Sequence, residues 1–108
     1  MNNSLDELIT LLLNKYDDEG GRDDIAMDLS DNDSNEAFSA LLQIAQDESD
    51  SEVVRDSCIE SLSQILYRNK ENRLYLNKIG IVQLSKALKI IQKERHDLYD
   101  DLALNSLE

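Results

Sequence analysis

Residues 37–66 have the sequence AFSALLQIAQDESDSEVVRDSCIESLSQIL and carry the clearest structural pattern in the chain. Apolar residues recur every three or four positions on both sides of the polar run Asp47–Asp50, which predicts two amphipathic helices joined by a turn. The helices are expected over about 35–46 and 51–68, with Ser49 as the N-cap of the second. The predicted apolar stripes are Ala37, Phe38, Leu41, Leu42, Ile44 and Ala45, then Val54, Cys58, Ile59, Leu62, Ile65 and Leu66.

The sequence on either side of this pair is also helical in pattern. Ser4 and Glu7 have the spacing of a capping box, and the stripe that follows them extends to Tyr16. We expect this first helix to end in the run Asp17–Gly21, because two adjacent glycines disfavour a helix. Further helices are expected over about 22–30, 73–79, 81–93 and 95–107. The helix over 81–93 is predicted to bury Ile81, Leu84, Leu88 and Ile91.

No segment alternates apolar and polar residues as a strand would, so the predicted fold class is all-α. Helices of this length, joined by turns of a few residues, bury their stripes against helices that are close in sequence. Two architectures satisfy this requirement: a closed bundle and a short stacked solenoid.

Two overlapping segments resemble helical repeats. Residues 37–66 are similar to a HEAT or armadillo helical pair, and residues 58–91 resemble an armadillo repeat. In the second segment a helix ends near Asn69, and a short helix then leads to Gly80 and a further apolar helix. Gly80 suits a sharp bend between helices because glycine tolerates positive φ.

The resemblance implies a short right-handed α-solenoid of about five to seven helices, formed by one domain over 1–108. It divides the chain into an acidic N-terminal cap region (1–34), a HEAT-like pair (35–68), armadillo-like helices bent at Gly80 (69–93) and a C-terminal capping helix (94–108). Repeats of this kind are usually scaffolds that bind proteins and have no catalytic activity.

The net charge of −12 in 108 residues restricts the class of partner. It disfavours binding to nucleic acid, which depends on Lys and Arg, and it favours basic proteins. The charge is uneven, because residues 1–56 carry a net charge of −13 and residues 57–108 a net charge of +1. No apolar run is long enough for a membrane span, and Asp6 and Glu7 occupy the region where a signal peptide would be basic. We therefore expect a soluble cytoplasmic protein that does not bind membranes.

Few residues point to catalysis or metal binding. His96 is the only histidine, and Cys58, the only cysteine, falls on a predicted apolar stripe. Asp31, Asp33 and Asn35 match the first positions of an EF-hand loop, but the required glycine and final glutamate are missing from that pattern. With no phosphate-binding, dinucleotide-binding or metalloprotease motif either, we expect no enzyme activity, no cofactor and no metal.

Acidic residues form the most prominent feature of the chain. The simpler interpretation is a solvated surface, and the functional one is a docking surface for a basic protein. Tyr16 and Phe38 are candidate apolar anchors within such a surface. The candidate partner-binding residues are Asp17, Asp18, Glu19, Asp23, Asp24, Asp28, Asp31, Asp33, Asp47, Glu48, Asp50 and Glu52.

A basic face is expected on the helix over 81–93, where Lys86, Lys89 and Lys93 recur at helical spacing. It is either an ordinary exposed face or a surface that pairs with the acidic half of another copy. The expected oligomeric state is accordingly a monomer or a weak homo-oligomer.

A small, acidic, helical, single-domain chain of this kind is similar in profile to the immunity proteins of bacterial polymorphic-toxin and contact-dependent-inhibition systems. The leading hypothesis is therefore an inhibitor whose acidic surface occludes the active site of a toxin, expected to be a basic nuclease domain. The alternative is a scaffold or adaptor that binds a peptide or partner along the helix 81–93. A third class, an enzyme, would require His96 or a pair of carboxylates for turnover.

Overall fold

The computed structural model describes residues 4–103, and within that range every regular element is a helix and there is no strand. The all-α prediction is thereby confirmed. The part of the last predicted helix beyond residue 103 lies outside the described residues. The helices are α1 (Leu5–Leu13), α2 (Glu19–Asp28), α3 (Asn35–Gln46), α4 (Glu52–Asn69), α5 (Arg73–Ile79), α6 (Ile81–Glu94) and α7 (His96–Ala103), with a 3-10 turn over Leu29–Asp31 between α2 and α3.

The longest helix, α4, lies at the centre of the fold and contacts α2, α3, α5, α6 and α7. The apolar stripes predicted for α3 and α4 are all buried, which confirms them as the main part of the core. α3 and α4 are antiparallel, since Arg55 at the start of α4 donates to the carbonyl of Ala45 at the end of α3 at 3.0 Å. The N-cap of α4 is Ser51, not Ser49 as predicted, because the Ser49 side chain instead donates to Asp47 within the turn.

The N-terminal helices differ from the prediction at their junction. The capping box at Ser4 is present, but α1 ends at Leu13, and Tyr16 is 98% exposed instead of continuing the stripe. Gly20 and Gly21 lie in the first turn of α2 and do not terminate a helix. The reason is a strong N-cap: the Asp18 carboxylate accepts a hydrogen bond from the backbone N–H of Gly21 at 2.8 Å.

The apolar stripe of α6 also begins later than predicted. Ala87 and Ile91 are buried and Leu84 is partly buried, but Ile81 is 76% exposed. Ile81 lies in the first turn, directly after the bend at Gly80, where the helices of residues 4–103 leave it exposed. The bend itself is as expected, because Gly80 has a φ of 89°.

Replacing Gly80 with alanine is expected to lower the free energy of unfolding by about 1–3 kcal/mol, the cost of a strained backbone conformation. With φ at 89° and ψ at 152°, Gly80 occupies a region that L-residues rarely adopt. A Cβ atom there would meet nothing within 4 Å, so the cost comes from the backbone and not from a clash. Urea denaturation followed by circular dichroism measures the change.

Gly20→Ala provides the matched control, because Gly20 lies within α2 and its added Cβ would lie 3.5 Å from Asp18 Oδ2, an ordinary contact. Its expected effect is neutral or stabilising by up to about 1 kcal/mol. A Gly80→Ala protein as stable as the wild type would contradict the strain assigned to this bend.

Candidate functional site

The acidic segment α2 lies lengthwise against α4. Contacts between the two advance in the same direction along both segments, so α2 and the 3-10 turn run parallel to α4. In order along α4, they are Ser51 with the Glu19 carboxylate, Ser57 with the Asp23 carboxylate, Ser61 with the Ala26 carbonyl, and Arg68 with the Asp33 carboxylate. The acids of α2 are therefore spread along the length of α4 and are not gathered at one end.

Three carboxylates point away from this contact and form what we call the α2 acidic face: Asp24, Asp28 and Asp31. They are separated by four and three residues, the spacing of neighbours on one side of a helix. All three are exposed, and among the described residues none of their side chains has a hydrogen bond or ion pair. Met27, which is 55% exposed, lies in the same segment. This face presents negative charge that no cation within residues 4–103 neutralises through an ion pair.

A second group of predicted acids lies at the start of α2 and at the junction of α3 and α4. Its members are Asp17, Asp18, Glu19, Asp47, Glu48 and Glu52. Lys15 pairs with Asp47 at 2.9 Å, and Lys93 pairs with Glu48 at 3.6 Å. Hydrogen bonds from Ser49 and Lys15 lower the pKa of Asp47 to about 2. Local cations therefore offset part of the charge of this group.

The remaining members of the group are exposed and have no cation partner among the described residues. Asp17 accepts a hydrogen bond from the backbone of Asp18, which caps α2. Glu19 accepts one from Ser51, and Glu52 lies in the first turn of α4. An acid in the first turn of a helix is stabilised there by the helix dipole, so these positions have a local structural role.

Asp50 is not part of the exposed surface, although the sequence predicted it there. Its side chain and that of Arg22 are each only 2% exposed, and the two form a bidentate ion pair at 2.8 and 2.7 Å. Arg22 Nε also donates to the carbonyl of Leu12 at 2.8 Å. The Arg22 hydrogen bond holds the pKa of Asp50 below its usual range. This pair connects the end of α1, the start of α2 and the turn before α4.

Arg22 is not among the residues predicted from the sequence, although its position carries a signal. It is the only cation between Asp17 and Asp33. It also precedes Ile25, Ala26 and Leu29 by three, four and seven residues, the spacing of one helical face. A lone cation on the apolar side of an acidic helix is typical of a buried ion pair.

The two predicted apolar anchors differ in solvent exposure. Phe38 is fully buried in the core, so the prediction that it contacts a partner is wrong, whereas Tyr16 is exposed. Three further apolar side chains, which the sequence did not predict as anchors, are half-exposed: Met27 of α2, and Val53 and Tyr67 of α4. Their helical spacing does not distinguish them from other surface positions, so only the packing of the helices reveals them.

Two adjoining depressions lie on the outer side of α4, one toward α2 and one toward α7, and together form a groove. The two depressions share Gln64. The larger, of about 380 Å³, has Tyr67, Leu98 and Leu102 in its walls, and the smaller, of about 160 Å³, lies beside Met27. We call this feature the α4 groove.

The basic face predicted on α6 is present as an exposed surface. Lys86 and Lys89 are exposed and have no ion pair among the described residues, whereas Lys93 pairs with Glu48. Val82 is exposed one turn before Lys86, and together with Ile81 these residues border a shallow depression of about 370 Å³.

The chemically reactive side chains lie apart from these surfaces. Cys58 is fully buried, as its place on the stripe predicted, and burial raises the pKa of its thiol to about 12. His96 is exposed, with Nε2 3.6 Å from Asp100. Between residues 4 and 103, no group of three His, Cys, Asp or Glu side chains is arranged to hold a metal ion.

Comparison with known proteins does not add a function to this description. No protein-family model matches the sequence, and neither a curated protein nor a solved structure is significantly similar to it. No helix in the described part of the chain is long and apolar enough to cross a membrane. The exposed side chains of the α2 acidic face, the α4 groove and α6 are therefore the features from which a function is inferred.

Proposed function

We propose that this protein is a non-catalytic inhibitor of the immunity-protein type, which neutralises a cognate bacterial toxin with a basic nuclease domain. The observation that supports it most is the α2 acidic face, three exposed carboxylates without a cation partner among the described residues. In this proposal the carboxylates take the place of nucleic-acid phosphates in the basic cleft of the toxin, and the bound inhibitor excludes the substrate.

The α2 acidic face suits this role better than the paired acids do. A carboxylate already engaged, such as Asp33 with Arg68, must lose that partner before it can contact another protein. Asp24, Asp28 and Asp31 meet no such cost, and charges of this kind accelerate the encounter with an oppositely charged protein. Affinity also requires apolar contact, which the exposed Met27 offers beside them.

The proposal includes a short right-handed solenoid of the armadillo or HEAT type. α3 and α4 would be the HEAT-like pair, α5 and α6 the armadillo-like helices, and residues 1–34 and 94–108 the caps. Contacts between α3 and α4, between α5 and α6, and between α6 and α7 support this arrangement, as does the positive φ of Gly80 at the bend.

Reversing the charge of the α2 acidic face, with Asp24→Lys, Asp28→Lys and Asp31→Lys together, is expected to slow association with the toxin domain about tenfold or more at low salt. Asp23 is left unchanged because its carboxylate accepts a hydrogen bond from Ser57. The proposal requires a neighbouring reading frame that encodes a larger protein with a variable C-terminal toxin domain, and that domain is the one to use in the assay. Stopped-flow kinetics gives the association rate, and nuclease assays give the stoichiometry of inhibition.

The matched control places the same change in net charge elsewhere, with Asp6→Lys, Glu36→Lys and Glu71→Lys. These three acids are also exposed and without a cation partner among the described residues. Asp6 and Glu36 lie in the first turns of α1 and α3, so urea denaturation of both triple variants is needed to separate a loss of stability from a slower association. Raising the salt concentration to about 1 M should remove most of the difference in association rate between the two triple variants, because the Debye length falls to about 3 Å. Equal slowing by both variants would show an effect of net charge alone, and unimpeded nuclease activity would refute the proposed function.

A scaffold function is favoured by a different observation, the apolar and basic surface of α6. Val82, Lys86 and Lys89 are exposed together, and the two lysines have no ion pair among the described residues. If this surface binds the partner, Lys86→Glu and Lys89→Glu weaken binding while reversal of the α2 acidic face does not. The same kinetic assay therefore separates the two functions.

A further inference from the structure

We propose that the α4 groove holds a basic amphipathic helix of the partner protein. This inference rests on the proposed function and specifies which element of the partner the inhibitor binds. It is carried by the apolar residues, the length and the charge of the groove, which lies beside the α2 acidic face.

The floor of the groove carries apolar side chains that face solvent. Tyr67 of α4 is 50% exposed and lines the larger depression together with Leu98 and Leu102. Met27 of α2 is exposed to a similar extent and lines the smaller depression together with Gln64. Val53, two heptads before Tyr67 on the same outward side of α4, is also half-exposed but lies outside both depressions. A half-exposed apolar side chain in each of two adjoining depressions is typical of a site for the apolar face of a helix.

The dimensions of the groove match a short helix. The residues of α4 that line the two depressions run from Ser57 to Arg68, a distance of about 16 Å along the helix axis. That length accommodates about three turns of a second helix lying along α4. The larger depression, of about 380 Å³ beside Tyr67, Leu98 and Leu102, receives a large apolar side chain of that helix, and the smaller one beside Met27 receives a second.

The charge around the groove selects a cationic occupant. On one side, the α2 acidic face supplies three carboxylates without cation partners. On the other, Arg95 is surrounded by Asp56 at 3.2 Å, Asp97 at 3.2 Å and Glu60 at 3.6 Å, so three carboxylates there share one cation. Arg68 at the end of the groove is paired with Asp33. Lys or Arg side chains flanking the apolar face of the helix would therefore meet carboxylates on both sides.

The probe for this site is a fluorescently labelled peptide of about 14 residues, composed of leucine and lysine with leucine at helical spacing. A second peptide has the same composition but an order that gives no apolar face. Fluorescence anisotropy with the full chain in about 150 mM NaCl measures both affinities, under conditions that screen charge beyond about 8 Å. We expect the amphipathic peptide to bind about tenfold or more tightly than the scrambled one.

Gln64→Arg tests the location, because Gln64 is exposed and lines both depressions. It is expected to abolish the preference for the amphipathic peptide. Gln43→Arg, at an exposed position of α3, introduces the same charge away from the groove and is expected to leave the preference unchanged. Circular dichroism tests whether both variants keep the helical fold.

Three results would overturn the groove: equal affinity for the two peptides, equal weakening by the two arginine variants, or a preference that survives Gln64→Arg. If the preference survives Gln64→Arg but binding is lost on charge reversal of Asp24, Asp28 and Asp31, the peptide binds the α2 acidic face. That result would contradict the groove and leave the proposed acidic docking surface intact. If the amphipathic preference depends on Gln64 but the chain does not inhibit the toxin domain, the groove stands and the proposed function fails.

Discussion

Replacing Arg22 with alanine is expected to lower the free energy of unfolding by about 3–5 kcal/mol, the cost of leaving a buried charge unpaired. The substitution leaves the Asp50 carboxylate, whose side chain is 2% exposed, without its ion-pair partner. It also removes the donor to the Leu12 carbonyl. Domains of this size have a total stability of about 5–15 kcal/mol, so the variant loses a large fraction of it. Urea denaturation followed by far-UV circular dichroism measures the loss.

Two comparisons separate the buried charge from the ion pair as such. Arg68→Ala removes the exposed pair with Asp33 and should cost about 1 kcal/mol or less. The double variant Arg22→Met, Asp50→Leu removes both buried charges together and is expected to recover much of the stability lost in Arg22→Ala. An Arg22→Ala protein within about 1 kcal/mol of the wild type would contradict the role assigned to this pair.

Replacing Phe38 with alanine is also expected to lower the free energy of unfolding by about 3–5 kcal/mol, because it leaves a cavity in the core. Phe38 is fully buried on the inner face of α3, beside the stripe that packs against α4. The loss should appear in stability and not in the association rate of the protein that remains folded. Urea denaturation and stopped-flow association with the toxin domain measure the two quantities.

Tyr16→Ala serves as the control for Phe38, since Tyr16 is the other aromatic residue predicted as an anchor. Its side chain is almost completely exposed, so its removal should change stability by no more than about 0.5 kcal/mol. If Phe38→Ala left stability unchanged but weakened partner binding, the assignment of Phe38 to the core would be wrong.

The arrangement of the acids changes how a large negative charge is interpreted in this protein. Asp50 holds the fold together from inside, and Asp33, Asp47 and Glu48 pair with cations of the chain itself. Among the described residues, Asp24, Asp28 and Asp31 of the α2 acidic face have neither a hydrogen bond nor an ion pair, whereas the exposed Asp17 and Glu19 each accept a hydrogen bond from the chain itself. A basic partner of the proposed kind would meet this row of carboxylates beside the α4 groove, which constrains orientation more than a diffuse charge does.

The helices and the main core were predictable from the sequence, because both depend on residues three or four positions apart. The spacing of Phe38, Leu41 and Ala45 in α3, and of Val54, Cys58 and Leu62 in α4, identifies the buried faces without knowledge of any neighbour. The capping box at Ser4 and the bend at Gly80 are equally local, and both are present as predicted.

The tertiary structure alone decided which charges and apolar side chains are free. Arg22 and Asp50 are 28 positions apart, and Asp33 and Asn69 are 36 positions apart, so no local pattern pairs them. Their contacts exist because α2 packs parallel to α4, which also defines the groove beside Met27 and Tyr67. Helical periodicity specifies which side of a segment is apolar, whereas the exposure of a given carboxylate depends on which segment packs against it.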